Sequence, residues 1–465
     1  MLLKRRVDSV IFALVLVTIV WLPIPLGSNR PWAWSIFQVM VIVQTCAVIW
    51  CYRSTIPWRQ VKSILPLLLP LILFQGFTAF QLVPLPLDWL SALSPNSAKA
   101  YSIFNRDYAP ITLDIHHTQL MLILGFAYCC WVLNLSILID RRSRLYALVL
   151  AIIVSGTIQA FYASMLALSD SSSSPIFGLP TQNGANGSFV YRNHLANYLL
   201  LCLSLGIGLI VARMSHTGPE RLSMAERMQR LIVVFMSDKM IVRLSLIIMV
   251  IALIMTRSRM GNTAFMMSTV MATLIAFLFY KNKPRALVVL IISILVIDAL
   301  LVGAIFGLDT VKERIDKTVI ASEARPEIVA WSLQAIGDHI WFGSGAGSFY
   351  SVFPAYHQQT ITQFFDHAHN EYIQFLFQSG VLGTAILVCP VIYCLMLSIH
   401  TLRTRRSGMM KGLSLGCLMA MLAMLIHILV DFNLQPTANA VLFLTVLSIV
   451  CICAKMPREG YQHFR

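Results

Sequence analysis

The chain has 465 residues, of which 58% are hydrophobic and only 12% charged, with a mean hydropathy of +0.75. Soluble domains carry about 25% charged residues, so this composition excludes a soluble globular protein and points to an integral membrane protein. The formal charge of +15 does not indicate nucleic acid, because the basic residues fall in short clusters between apolar segments, the pattern that sets membrane topology.

The apolar runs are about 20 residues long, which predicts spanning helices rather than barrel strands. Lys4-Arg5-Arg6 precedes the first run, over 9–27. No small-residue cleavage site follows it, so we read it as a retained span. Further spans are expected at roughly 33–51, 63–82, 118–139, 145–169, 193–213, 240–256, 262–280, 285–307, 371–398, 411–430 and 436–454, about twelve in all. With both termini cytoplasmic, all but ten of the 35 Lys and Arg residues fall on the inner side, as the positive-inside rule requires. The ten cysteines lie in or beside apolar segments, so neither a disulfide frame nor a zinc site is predicted.

The informative loops then share the outer face. Loop 83–117 holds Pro84, Pro86 and Pro95 and is expected to be partly ordered. Loop 170–192 opens on Ser171-Ser172-Ser173-Ser174, a flexible hinge by composition. The turn Thr256-Arg257-Ser258-Arg259 is short. The longest loop, 308–370, carries an amphipathic helix with Pro326 in its first turn. Its predicted apolar stripe is Val329, Leu333, Ile336 and Ile340, and Gly343-Ser344-Gly345-Ala346-Gly347 ends it.

The candidate chemistry gathers where these loops meet the spans. Arg192, Arg257, Arg259 and Arg325 lie at the outer surface, where guanidinium forks could clamp a diphosphate at headgroup depth. Arg257 and Arg259 fit interfacial snorkelling equally well. Arg192 follows a Gly/Asn-rich turn and opens a helix, where free N–H groups also favour anions.

The densest stretch is Asp366-His367-Ala368-His369-Asn370-Glu371. A neutral imidazole is the usual general base near pH 7. The helix dipole favours the neutral form, while Asp366 and Glu371 oppose it. A metal site is the lesser reading, since spacing supplies no third or fourth ligand. Asn193 and His194 could orient a sugar or phosphate, with helix capping the plainer role for Asn193. Tyr191, Trp331 and Trp341 suit an interfacial aromatic belt. Asp298 sits mid-span and reads best as a structural aspartate. Asp431-Phe432-Asn433 could line the same cavity as the histidines.

These features fall in a familiar order. Gly187-Ser188-Phe189-Val190-Tyr191-Arg192-Asn193-His194-Leu195-Ala196-Asn197-Tyr198-Leu199 resembles the G-x-F-x-N-R-N-H-x-A-x-Y-L signature of the O-antigen ligase and polymerase family. Thr256 to Gly261 is similar to its S-R-G-G turn. Arg325 to Phe349 resembles its R-x-x-x-W … G-x-G-x-G loop. His367 to Tyr372, with Gly380 and Gly383, resembles its H-A-H-N-E/D-Y … G-x-x-G motif. Tyr191 and Met260 depart from the usual Asn and Gly. The resemblance is close over about 180–400, and the first four spans match only in hydropathy.

It implies an all-α membrane protein of GT-C-like glycosyltransferase architecture, in which 1–170 form N-terminal helices, 171–400 the ligase/polymerase core, and 401–465 C-terminal helices and tail. It implies a bacterial inner-membrane enzyme, acting at the periplasmic face on an undecaprenyl-diphosphate-linked glycan, without nucleotide sugar, metal or other cofactor. By motif match the arginines would bind the diphosphate, His369 would be the base with His367 its fallback, and Asn193, His194, Asn370 and Glu371 would support them. Direct attack at the anomeric carbon then inverts its configuration.

A polymerase of surface or exported polysaccharide is the reading we favour; the resemblance implies systems that usually include a chain-length regulator, though none can be read from the sequence. A ligase onto lipid A-core or protein is the alternative. A transporter or flippase would place its charges near the bilayer midplane, where only Asp298 is clearly found.

Overall fold

The computed structural model describes residues 2–169, 171–180, 184–213, 238–279, 292, 296, 327–357 and 365–457. Of the expected features, the span 285–307 is described only at 292 and 296, and Arg325, Pro326 and Asp298 lie outside the described residues.

Among the described residues nine helices are long and apolar enough to cross a membrane. In our numbering they are α2 (Pro31–Tyr52), α3 (Trp58–Gln81), α6 (Ile115–Leu138), α7 (Arg142–Leu168), α8 (Arg192–Ala212), α10 (Arg259–Phe279), α13 (Glu371–Thr404), α14 (Gly408–His427) and α15 (Thr437–Lys455). Helices α1 (Leu2–Trp21) and α9 (Asp238–Met255) occupy two more of the expected spans. The chain is an all-α membrane protein, and its outer helices present a lipid-compatible face: Val43 and Ile49 of α2, Leu73 of α3 and Phe161 of α7 are all more than half exposed.

Helices α8, α14 and α15 are buried on nearly every side and form the centre of the bundle. Small residues set the closest approach. Ser204, Gly208 and Ala212 of α8 face Gly408, Gly412 and Gly416 of α14. A methyl on Gly412 would stand 2.4 Å from the Ala212 nitrogen, and one on Gly416 2.6 Å from the Ser204 carbonyl. In an apolar medium such small-xxx-small pairs let backbones pack without a hydrophobic driving force. Polar staples add to it: Trp131 Nε1 donates to Thr445 Oγ1 at 2.9 Å, and Gln44 Nε2 to Thr18 Oγ1 at 2.9 Å.

Loop 83–117 is ordered by α4 (Leu87–Leu93), α5 (Pro95–Ser102) and a two-residue hairpin pairing Leu85–Pro86 with Tyr108–Ala109. Of Ser171–Ser174, expected as a flexible hinge, the last two take part in a bridged turn over 173–180. Ser173 pairs with Pro180, and Ser174 Oγ meets Tyr162 Oη at 2.6 Å.

The loop helix α11 covers 327–338, but its apolar phase differs from the predicted stripe. Ile328, Trp331, Ala335 and Ile336 are buried, whereas Leu333 and Ile340 are 51% and 45% exposed. The buried set also follows helical spacing, and it seats Trp331 in a core with Phe349, Phe353, Ala368 and Phe377. Trp331 therefore belongs to this core and not to an aromatic belt, while Trp341 is exposed.

A one-turn helix, α12 (Phe349–Val352), follows the glycine loop. That loop lies against a kink in α13, where Gly380 adopts φ 60°, ψ −171°. A side chain on Gly343 would stand 2.3 Å from the Gln378 backbone, and Gly345 leaves no room beside Thr112. Gln81 closes the joint, donating to the Phe342 and Gln378 carbonyls and accepting from Ala346 N.

Candidate active site

The start of α13 is built by its own sequence. Asn370, in extended conformation, caps the helix: its Oδ1 accepts from Tyr372 N at 3.0 Å and Ile373 N at 3.2 Å. The preceding residue, His369, has φ +50°, a left-handed conformation that costs a non-glycine residue about 1–3 kcal/mol. That turn folds 366–369 back over the helix end.

Gln374, one turn into α13, holds the fold-back. Its Oε1 accepts from Ala368 N at 3.1 Å, and its Nε2 stands 2.9 Å from His367 Nδ1. The backbone N–H can only donate, so it fixes which end of the amide is oxygen. Flipping the amide would strand that buried N–H against an NH2 group, a cost of about 1–3 kcal/mol. Gln374 therefore donates to Nδ1, and the neutral ring carries its proton on Nε2. Burial holds the His367 imidazole below its usual value, with Asp366 opposing the shift. Burial, which the sequence-level balance of helix dipole against Asp366 and Glu371 did not include, is the largest effect on this ring.

Glu371 faces away from the histidines. Its carboxylate is buried and accepts from Leu434 N at 2.7 Å and Gln435 Nε2 at 2.9 Å, clasping α13 to the 428–436 connection.

Phe432, in that connection, is the meeting point of the site. His367 stacks on it at 4.4 Å between centroids. His369 and His194 meet it edge-on, each at 4.8 Å, and Tyr191 lies at 5.9 Å. Three imidazoles on one phenyl ring cannot readily hold more than one positive charge together. Asn193 is not the cap of α8, a position Tyr191 occupies; its amide donates instead to Asp431, beside Phe432. His194 is buried below the ring and its carbonyl accepts from Asn439 Nδ2 at 3.1 Å.

Arg192 is the first residue of α8 and directly follows Tyr191, which contacts Phe432. The 184–192 segment packs on the turn between α9 and α10: Ala185 N donates to Met255 O at 2.8 Å. A methyl on Gly184 would meet both Thr256 O, at 2.7 Å, and the Arg192 side chain, at 3.5 Å. Arg257 sits in that turn with φ +54° and Arg259 opens α10. Three of the four candidate arginines thus come from two adjoining segments.

The structure adds residues that sequence reasoning passed over. Gln374 is one; Asn197, His427 and Asn439 are others, which join the expected His194 and Asn433 in a polar layer beneath Phe432. Asn197 Nδ2 meets His427 Nδ1 at 3.3 Å. Nε2 of His194 and of His427, Oδ1 of Asn197 and of Asn439, and both amide atoms of Asn433 are buried without a hydrogen-bond partner among the described residues. Orphaned polar atoms gathered at one place mark a site whose partners come from outside the chain. Their signal was present in the sequence, since a polar residue inside an apolar helix is a functional candidate by default. No group of three or more His, Cys, Asp or Glu residues arranged to hold a metal ion occurs among the described residues.

Residues 244–388 match the family model described as O-Antigen ligase. The match takes in Arg257, Arg259, Arg325, His367 and His369, while Arg192 and Phe432 lie outside it and reach the site through the contacts above. No curated protein matches the chain.

Proposed function

We propose, from a chain whose residues 244–388 carry an O-antigen ligase domain, a membrane glycosyltransferase that polymerises lipid-linked glycan repeat units. The donor is a glycan on undecaprenyl diphosphate and the acceptor a sugar hydroxyl, both at the periplasmic face of the inner membrane. The observation that carries this reading is the convergence on Phe432 of His367, His369 and His194, beside the segments bearing Arg192, Arg257 and Arg259.

In this scheme the acceptor oxygen attacks the anomeric carbon from the face opposite the diphosphate. The bond from that carbon to the diphosphate oxygen breaks, its electron pair leaving on the diphosphate. The acceptor proton passes to His369, and the new glycosidic bond has inverted configuration. The arginines, with Arg325 among them, neutralise the charge that develops on the leaving group. They supply what a metal ion would otherwise supply, so the scheme uses neither metal nor nucleotide sugar.

The description of the family model favours one other reading, a ligase that moves the glycan onto lipid A-core or protein. A gel of lipid-linked glycans from a strain lacking the chain separates them. Single repeat units accumulating on the lipid support the polymerase. Full-length lipid-linked chains with a bare final acceptor support the ligase. No change in either pool overturns both.

A further inference from the structure

We infer that Gln374 is a positioning residue that makes His367 a fixed hydrogen-bond donor to an anionic oxygen of the lipid diphosphate, leaving the base role to His369 of the same motif. The inference rests on the proposed transfer reaction and assigns the two histidines of one motif opposite jobs.

The argument is one of donor and acceptor counting. Ala368 N–H donates to Gln374 Oε1, which fixes the Gln374 amide. The amide NH2 then donates to His367 Nδ1. An Nδ1 that accepts cannot carry a proton in the neutral ring, so the proton is on Nε2. Both nitrogens are then committed, one lone pair to Gln374 and one N–H outward, and the neutral ring has nothing left with which to take a proton. Protonating Nδ1 would set two N–H groups against each other.

Placement agrees with the donor role. Stacking on Phe432 fixes the plane of the ring. Nδ1 turns toward α13, so Nε2 points to the far side of the ring. Phe432 also carries Tyr191, the residue before Arg192. A donor there adds to the arginines, since neutral N–H groups aimed at a developing anion stabilise it without the cost of a further buried charge. His369 meets Phe432 by its edge, whereas His367 stacks on its face.

The test uses the full-length chain in native membranes of the deletion strain, scored by lipid-linked glycan product per inserted protein. His367→Ala is expected to lower transfer about a hundredfold. His367→Gln, whose amide nitrogen takes the place of Nε2, should recover at least about a tenth of the wild-type rate. His369→Gln should recover nothing, because no amide replaces a base. Gln374→Glu reverses the bond to Nδ1, moves the ring proton there and should cost transfer about as much as His367→Ala. In the His367→Gln background it should cost little more.

Nitrogen-15 NMR of histidine-labelled protein reads the tautomer independently of turnover. Wild type should show His367 protonated on Nε2, and Gln374→Glu on Nδ1. A His367→Gln variant as inactive as His369→Gln, or a wild-type ring protonated on Nδ1, overturns the inference. Full activity of His369→Gln would overturn the transfer mechanism instead, and the NMR result would still stand or fall by itself.

Discussion

The two ends of α7 teach different lessons about charge. This helix runs 27 residues, about 40 Å, from a closed ion network to the margin of the open site. At its start the buried Arg144 pairs with Asp8 of α1 and with Asp140, and donates to the Leu138 carbonyl at 2.8 Å; Tyr52 donates to Asp8 from α2. Every strong group there has a partner of opposite kind. At the other end, past the 171–191 connection, lie arginines, three imidazoles around one phenyl ring and a layer of orphaned amide and imidazole atoms. One end uses polar groups to fix helices in register. The other leaves the buried His194, Asn197, His427, Asn433 and Asn439 with polar atoms that find no partner among the described residues.

If that contrast is right, the ends should break differently. The largest effect should come from the open end. Removing the proposed base with His369→Ala should lower transfer about 10²–10⁴-fold, and Arg192→Ala about 10²–10³-fold. Both should leave membrane level and thermal stability near wild type. Product formation per inserted molecule, with melting of the purified protein, reads both quantities.

The closed end should do the reverse. Arg144→Ala takes the charged partner from the part-buried Asp8 carboxylate, while the exposed Asp140 keeps Arg141, and should destabilise the protein by about 3–5 kcal/mol. Transfer per folded molecule should be preserved. An Arg144 variant that melts normally but is inactive would erase the division between the ends.

How much of this was legible in the sequence follows from range. Hydropathy reads a span because every residue of a lipid-facing segment meets the same solvent; α2, α3 and α6 fall within a few residues of their expected places. The arginines and histidines were legible because their chemistry is local to them. The phase of α11 was not. Val329-x3-Leu333 and Ile328-x2-Trp331 are both helical patterns, and only the core formed with Phe349, Phe353, Ala368 just before α13 and Phe377 within it decides between them. Gln374 escaped for a related reason. A glutamine in an apolar helix announces a polar contact, but its partner His367 Nδ1 is reached only because His369 turns left-handed. Nothing in residue type alone reveals that turn.

The centre of the bundle gives an intermediate test. Gly408, Gly412 and Gly416 were readable as a small-xxx-small series once α8 is known to lie opposite. Gly412→Ala would put a methyl 2.4 Å from backbone, so α14 must shift. An overpacking cost of about 1–3 kcal/mol is expected, read as lower thermal stability. Because α14 leads to the connection carrying Phe432, transfer should also fall by a modest factor. An equal change at Gly76, where a methyl meets nothing within 4 Å, should alter neither.

The smallest expected effect is also the most diagnostic of His367. Burial lowers the affinity of this imidazole for protons and Asp366 raises it. A histidine whose folded value is depressed binds fewer protons folded than unfolded. Its contribution to stability is therefore complete above the ordinary histidine value near 6.5 and is lost as pH falls below it. Transfer should follow the same direction, with an acid limb below that value, because a protonated Nδ1 opposes the Gln374 amide. Asp366→Asn removes the opposing carboxylate, so the acid limb should move to lower pH with little change in the neutral rate. A limb moving upward would mean that Asp366 acts on some other group, and His367 would no longer account for the acid side of the profile.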